Sequence, residues 1–386
     1  MSPGEPALVA LILNQIRRAG PISFRWFMEQ ALYHAEHGYY SSGRAVIGRR
    51  GDYFTNVSVG PLFGRMMAAQ FREMWAALGQ PTDFAIVEQG AQNGDFAGDV
   101  LRTIRGSMPD FFAALRYVII EPFLILRARQ VEALAAFGEI VSWRESIELM
   151  EPFEGLHFSN ELFDALPVHL LSRGASESDW TEKCVTEEAE RFRFVSQPSS
   201  DPRLASRAQQ IPIPPGVAYE TEVNMAAPKL VAAVAEKLVR GWLFIVDYGY
   251  TREDFYSPAR SDGTVQSFLR HRKLPSPLLE VGRADITAHV EWTTLADEAL
   301  GCGLQLAGFT DQHHFMTGLA AGPMRAEVES AGATGATRAL QTLLHPTLLG
   351  RTFQYLAFAR GVSPAAELSG FSFAQEPKTA LGFAAR

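Results

Sequence analysis

Acidic and amide side chains in this sequence stand repeatedly at the ends of short apolar runs, where they can hold a ligand or orient a reacting group. The run FAIVE, residues 84–88, ends on Glu88 and continues as Gln89-Gly90-Ala91-Gln92-Asn93-Gly94. Gly90 and Gly94 let the backbone approach a ligand closely, and a helix starting near Asp95 or Phe96 aims its first amides at whatever lies there. The order is acidic-x-G-x-x-x-G, not the G-x-G-x-x-G of a dinucleotide-binding turn. Glu88 would repel a phosphate at this place. A cationic or zwitterionic group suits it better.

An amino-acid-like moiety has that charge pattern, and the methionine end of S-adenosyl-L-methionine (SAM) is one. A second acid, Glu121, closes the run RYVIIE, where Rossmann-like folds place a carboxylate on ribose hydroxyls. The bland alternative is that Glu88 and Glu121 simply end strands in solvent. In HFSNELFDALPVHLL, residues 157–171, Asn160, Glu161 and Asp164 follow another buried run. Glu161 can accept charge-assisted hydrogen bonds from an amine or guanidinium. The same residues also read as a capped helix start, with Asn160 as the cap, and the two readings are compatible.

Further polar clusters lie in GDYFTN (51–56) with Asp52, in FIVDYGY with Asp247 at a strand end, and in SDGTVQSFLRHRK and RADITAHVEW. The last two contribute Arg270, His271, Arg272, Asp285, Thr287 and His289 to an otherwise apolar half of the chain. A lone histidine is more often structural than catalytic. No spacing matches H-E-x-x-H or a nucleophile elbow, so metalloprotease and serine-hydrolase readings find no support.

The elements that position these residues follow from hydrophobic periodicity. Residues 6–18 and 61–78 have helical spacing, and Ser23 can cap a helix over FRWFMEQALYHAEH. From Asp83 onward short apolar runs alternate with helix-length segments: FAIVE, YVIIE, GEIVSW and LHFSNE, with helices from Phe96 and over 127–136. This alternation predicts βαβ units and a mostly parallel sheet with helices on both faces. VHLLSRG, WTEKCVTE and RFRFVSQ interrupt it as an inserted antiparallel hairpin subdomain. After a helix over 228–240, GWLFIVDYGY restores a buried strand, followed by an irregular stretch to about Asp285. A helix over 293–301 and strands LQLAGFT and TFQYLAFAR complete the pattern. The tail after Gly361 is weakly patterned and expected to be poorly ordered.

Bulk properties exclude several classes. A chain of 386 residues with 47% hydrophobic content can bury a substantial core, and its net charge of -8 carries no nucleic-acid footprint. Cys184 and Cys302 are far apart and form no zinc or redox spacing. No run reaches the roughly 18 apolar residues of a membrane span, and the first residues lack the parts of a secretory signal. The expectation is a cytoplasmic protein with neither nucleic acid nor membrane as partner. Its oligomeric state is not legible.

Taken in order, ISFRWFMEQALYHAEHGYY, IGRRGDYFTNVSVGPLFG, VEQGAQNGDFAGDVL, FSNELFDALPVHLL, VDYGY, GTVQSFLRHR and DITAHVEW resemble the MidA-like family of SAM-dependent methyltransferases. The mitochondrial members of that family are complex I assembly factors that methylate an arginine of a partner subunit. The resemblance spans most of the chain. It implies an α/β protein of the class I methyltransferase type: a helical region with a cofactor-closing loop over 1–80, then a Rossmann-like domain over 81–386 with insertions at about 168–225 and 250–292. It further implies SAM as cofactor and a protein or small molecule as methyl acceptor.

The resemblance also assigns residues. Glu88, Gly90, Gln92 and Gly94 would line the SAM turn, Glu121 would hold the ribose, and Ser142 and Trp143 would contact adenine. Asp52 and Thr55 would close over the cofactor. Asn160 and Glu161 would sit near the transferred methyl; from the chemistry of methyl transfer, Asp285 and His289 are candidate helpers to Glu161. Gln92 departs from the general pattern acidic-x-G-x-G-x-G, in which that position is glycine. Asn93, tolerant of left-handed backbone angles, is expected to compensate. A protein that keeps the fold but binds without catalysis is the competing class.

Overall fold

The structure is a computed structural model and describes residues 2–45, 55–199, 201–330, 335–345, 349–363 and 366–383. The chain divides into two compact units. One comprises Met1–Phe54, Phe163–Lys229 and Tyr250–Glu291; the other comprises Thr55–Leu162, Leu230–Gly249 and Trp292–Arg386.

In the first unit, the helix Pro6–Ala19 carries Leu8, Val9, Ile12, Leu13 and Ile16 on one buried stripe. The Ser23 hydroxyl caps the helix Phe24–Tyr33 by accepting from the Trp26 amide at 3.2 Å, as its place in the sequence suggests. Phe27 of that helix meets Phe192 edge-on at 5.4 Å. Phe192 belongs to Arg191–Gln197, which pairs antiparallel with Thr181–Glu188. The sheet continues through His169–Arg173 to Tyr219–Val223. The stretch before Asp285, read as irregular, contains a small antiparallel sheet of Gln266–Leu269, Arg272–Lys273 and Asp285–Thr287. Its strands have two to four residues, too few for a period of two to show.

Among the described residues, the second unit is built on seven strands. In chain order they are β1 (Phe84–Gln89), β2 (Leu115–Ile120), β3 (Val141–Arg144), β4 (Phe153–Asn160), β5 (Leu238–Tyr250), β6 (Gln305–Asp311) and β7 (Phe353–Arg360). They lie side by side in the order β6-β7-β5-β4-β1-β2-β3. β1 to β5 are mutually parallel, while β7 runs antiparallel to both β5 and β6. The sheet therefore grows from β1 in one direction through β2 and β3, and in the other through β4 and β5. The carboxyl ends of β1 and β4 flank this reversal, which is where doubly wound sheets bind ligands.

Two helices fix that edge: α1 (Leu62–Ala77) and α2 (Asp95–Ser107). Phe96 of α2 stacks on Phe158 of β4 at 4.8 Å, and Phe71 of α1 meets the same ring edge-on at 5.2 Å. Phe158 continues to Phe244 of β5 at 5.8 Å. Each of these rings is almost wholly buried, a stabilisation of about 1.5–3 kcal/mol apiece. They hold the helix that starts at the glycine turn against β4 and its neighbour β5.

The tail is not poorly ordered over residues 366–383. Ser369 and Gly370 donate backbone N–H groups to Glu73 Oε2 (2.9 Å) and Gln70 Oε1 (3.0 Å) of α1. The Thr293 hydroxyl donates to the Leu381 carbonyl at 3.0 Å. Glu73 and Gln70 lie some 300 residues upstream of their donors, so no local pattern could reveal that anchorage. Among the described residues no helix is long and apolar enough to cross a membrane.

Candidate active site

The turn after β1 takes its shape from three left-handed residues. Gly90 has φ 89°, Gln92 φ 50° and Gly94 φ 85°. Gly94 immediately precedes α2 and opens it in the left-handed region. The compensation expected from Asn93 is not what occurs: Asn93 has an ordinary φ, and Gln92 itself adopts the conformation that a glycine would take without strain. A left-handed non-glycine residue costs roughly 1–2 kcal/mol. Gln92 is held there through its carbonyl, which accepts a hydrogen bond from Gln130 Nε2 at 2.8 Å.

The two acids beside this turn are not solvated strand ends. Glu88 is 4% exposed and Glu121 5% exposed. Burial pushes both carboxyls up to about 7, against the hydrogen bonds that favour the charged form. The Tyr117 hydroxyl of β2 donates to Glu88 Oε2 at 2.7 Å. Glu121 Oε1 accepts from the Phe123 amide (3.0 Å) and Oε2 from Gln130 Nε2 (2.9 Å). Ser142 and Trp143 stand in register with Val118 and Ile119 of β2, half-buried. The Trp143 indole donates to Gln130 Oε1 at 2.9 Å.

After β4 the chain does not form the capped helix that Asn160 and its acidic followers suggested; residues 161–166 are turns. The reason lies in Glu161, whose φ of 53° breaks the helical path. Its amide donates to the Val246 carbonyl at 2.9 Å, and Leu162 donates its amide to Asp247 Oδ2 at 3.2 Å. Asp247 is fully buried and also accepts from the Tyr248 amide at 2.9 Å. It fastens the two strand ends together. Asn160 accepts from Asn56 Nδ2 (3.1 Å) and donates to Glu161 Oε1 (3.1 Å), which turns its amide and fixes the carboxylate.

Asn56 is completely buried. Tyr355, also buried, donates its hydroxyl to Gln312 Oε1 at 2.9 Å. Among the described residues Asn56 Oδ1 and Ser159 Oγ have no partner. Buried acceptors without donors are costly. A ligand bringing an N–H donor to Asn56 would satisfy its free oxygen, which fits the amino-acid end of SAM; Ser159, next to Asn160 in β4, faces the other side of the sheet. Thr55 is buried too, but its hydroxyl shares a hydrogen bond of 3.1 Å with Ser58 and accepts the Ser58 amide, so it shapes the Val57–Val59 turn. Asp52 lies outside the described residues.

The second unit thus gathers Thr55, Glu88, Gly90, Gln92, Gly94, Glu121, Ser142, Trp143, Asn160 and Glu161. Asp285 and His289 belong to the first unit. There Asp285 accepts from the Tyr40 hydroxyl at 2.8 Å in a buried setting. His289 stacks on Tyr250 at 5.1 Å and its amide donates to Thr264 Oγ1 at 2.9 Å. Burial pushes the imidazole down to about 4.

A family model described as S-adenosyl-L-methionine-dependent methyltransferase matches residues 66–310. The chain belongs to this methyltransferase family. Its fold superposes with TM-score 0.86 on a COG1565 superfamily member from Burkholderia thailandensis crystallised with S-adenosyl-homocysteine (SAH), 32% identical over 97% of this chain and 96% of that one. The Drosophila melanogaster mitochondrial protein arginine methyltransferase NDUFAF7 homolog is 28% identical over 93% of this chain and 86% of its own length. The human NDUFAF7 protein is 25% identical over 82% and 75%. The protein is a SAM-dependent methyltransferase, with SAM as its cofactor and the class I fold that the resemblance implied.

Sequence reasoning missed Gln130, Tyr117 and Asn56. For Gln130 the sequence carried no signal: in α3 (Leu124–Ala133) the buried positions are Leu126 and Gln130, while the apolar Leu124, Ile125 and Val131 are exposed.

Proposed function

We propose that the methyl acceptor is an arginine side chain of a protein, that the turn after β1 and the acid after β2 hold the cofactor, and that Glu161 orients the acceptor. The observation that carries this reading is the Glu161 carboxylate. It stands at the switch point in a strained backbone conformation, with one oxygen fixed by Asn160. The relatives named as protein arginine methyltransferases support the acceptor class.

Glu88 and the Gly90–Gly94 turn suit the methionine end, Glu121 the ribose hydroxyls, and Ser142 with Trp143 the adenine. Bound SAM supplies a methyl group on a positively charged sulfur; its transfer forms a C–N bond, breaks a C–S bond and leaves one proton to be removed from the acceptor nitrogen. Guanidinium remains protonated at neutral pH. A fixed carboxylate accepts two of its N–H groups in parallel, localises the positive charge away from the reacting nitrogen and takes up the proton released. Holding that nitrogen in line with the methyl contributes through orientation. Asp285 and His289 have no part in this reading. The compartment proposed is the cytoplasm, while the curated relatives are named as mitochondrial.

Incubating the protein with methyl-labelled SAM and a lysate of cells lacking it tests the acceptor. Label in protein, recovered as methylarginine after hydrolysis, is the expected result. Label confined to small molecules would overturn the acceptor class, and no label with intact SAM binding would overturn catalysis itself.

A further inference from the structure

One side chain touches all three loops assigned to the cofactor. Gln130, wholly buried on α3, uses every hydrogen-bonding group of its amide. One Nε2 proton goes to the Gln92 carbonyl at 2.8 Å and the other to Glu121 Oε2 at 2.9 Å, while Oε1 accepts the Trp143 indole N–H at 2.9 Å. These partners follow β1, β2 and lie on β3. The chemistry fixes the orientation of the amide, because two oxygens face the nitrogen and one N–H faces the oxygen.

No other common side chain reproduces this set. Glutamate offers no donor for Gln92 and Glu121, and lysine no acceptor for the indole. The remaining contacts of α3 strengthen the same alignment. Arg129 Nη1 reaches Asn93 Oδ1 at 3.4 Å, and the Arg127 guanidinium lies 5.9 Å from the Trp143 ring centre. Gln92 sits in its strained conformation directly under the Gln130 bond, and strained residues persist only where their surroundings over-determine them.

We infer that Gln130 is the positioning residue of the cofactor site, setting the glycine turn, the ribose carboxylate and the Trp143 indole in one register before SAM arrives. It touches no substrate and acts through its three partners. The inference rests on the reading that Glu121 and the turn after β1 hold the cofactor. A buried glutamine serving only to satisfy polar groups would matter for folding and leave ligand affinity alone.

Calorimetric titration of SAH into the full chain separates these roles, using Gln130→Met, which keeps the packing, and Gln130→Glu, which keeps the acceptor and removes both donors. Each should raise the SAH Kd about tenfold or more. In a double-mutant cycle with Glu121→Ala, the loss in the double variant should fall short of the product of the single losses by at least threefold, because both changes act on the same carboxylate. Lowered thermal stability in either folded variant with Kd within twofold of the unaltered protein would overturn the inference, as would fully multiplicative losses. If Glu121→Ala itself left the Kd unchanged, the ribose assignment would fall and the inference with it. Loss in Glu121→Ala beside unchanged Gln130 variants would defeat the inference alone.

Discussion

The loops after β1 and β4 each contain one non-glycine residue forced into the left-handed region, Gln92 at φ 50° and Glu161 at φ 53°, but for opposite reasons. At Gln92 the backbone is what is used: the carbonyl is clamped by Gln130, and a glycine would serve the same geometry. At Glu161 the proposed role lies in the side chain: its carboxylate is fixed by Asn160 and its amide is bound to Val246. Under that proposal, similar strain, roughly 1–3 kcal/mol in each loop, stands for a replaceable residue in one and an irreplaceable one in the other.

The largest effect should come from Glu161→Gln, with turnover lowered about 10²- to 10⁴-fold, the range for losing a group that handles a proton in the transition state. Glu161→Gly should lose as much turnover while relieving the strain, so its thermal stability should stay within a few degrees of the unaltered protein. Turnover assays beside melting curves check both. Activity retained in Glu161→Gly would show that neither the carboxylate nor the strain is needed.

Next in size is the loss of SAH affinity in Glu121→Ala, about tenfold or more, as expected when hydrogen bonds to a charged acceptor are removed. A pH effect accompanies it. Glu88 and Glu121 have folded-state values raised to about 7 by burial, against 4.5 unfolded, so the folded ligand-free protein holds their protons more tightly. Their stabilising contribution is complete below about pH 4.5 and is lost as pH rises through about 7. The difference in melting temperature between Glu121→Gln and the unaltered protein should therefore move in favour of the glutamine form between pH 5 and 7.5. A flat difference across that range would mean the carboxyl titrates normally.

The smallest effect belongs to Gln92→Gly. Relief of the left-handed cost is partly offset by the greater freedom of glycine in the unfolded chain, leaving a net gain of about 0.5 kcal/mol. SAH affinity should change less than twofold. A tenfold loss on this change would show that the Gln92 side chain takes part in binding, and would remove the contrast between the two loops.

The same contrast explains what could be read from the sequence. The strands of the second unit were legible because buried strands are continuous apolar runs, and the acids closing them marked the carboxyl edge. That pattern placed Glu88, Glu121, Asn160 and Glu161 at the carboxyl edge, where the structure also has them. Gln130 was not legible, because its partners lie 9 to 38 residues away and only folding brings them to one amide. The helix start read at Asn160 failed because Glu161 takes a backbone angle that helix-capping patterns do not encode. The tail anchorage on Glu73 and Gln70 escaped for the same reason as Gln130.

The proposed function divides the labour between loops, with cofactor binding after β1 and β2 and acceptor handling after β4. Calorimetric titration of SAH into Glu121→Ala and Glu161→Gln side by side tests it most directly. The first should bind about tenfold or more weakly than the unaltered protein and the second within threefold of it. Loss of binding in Glu161→Gln, with Glu121→Ala unaffected, would contradict the division.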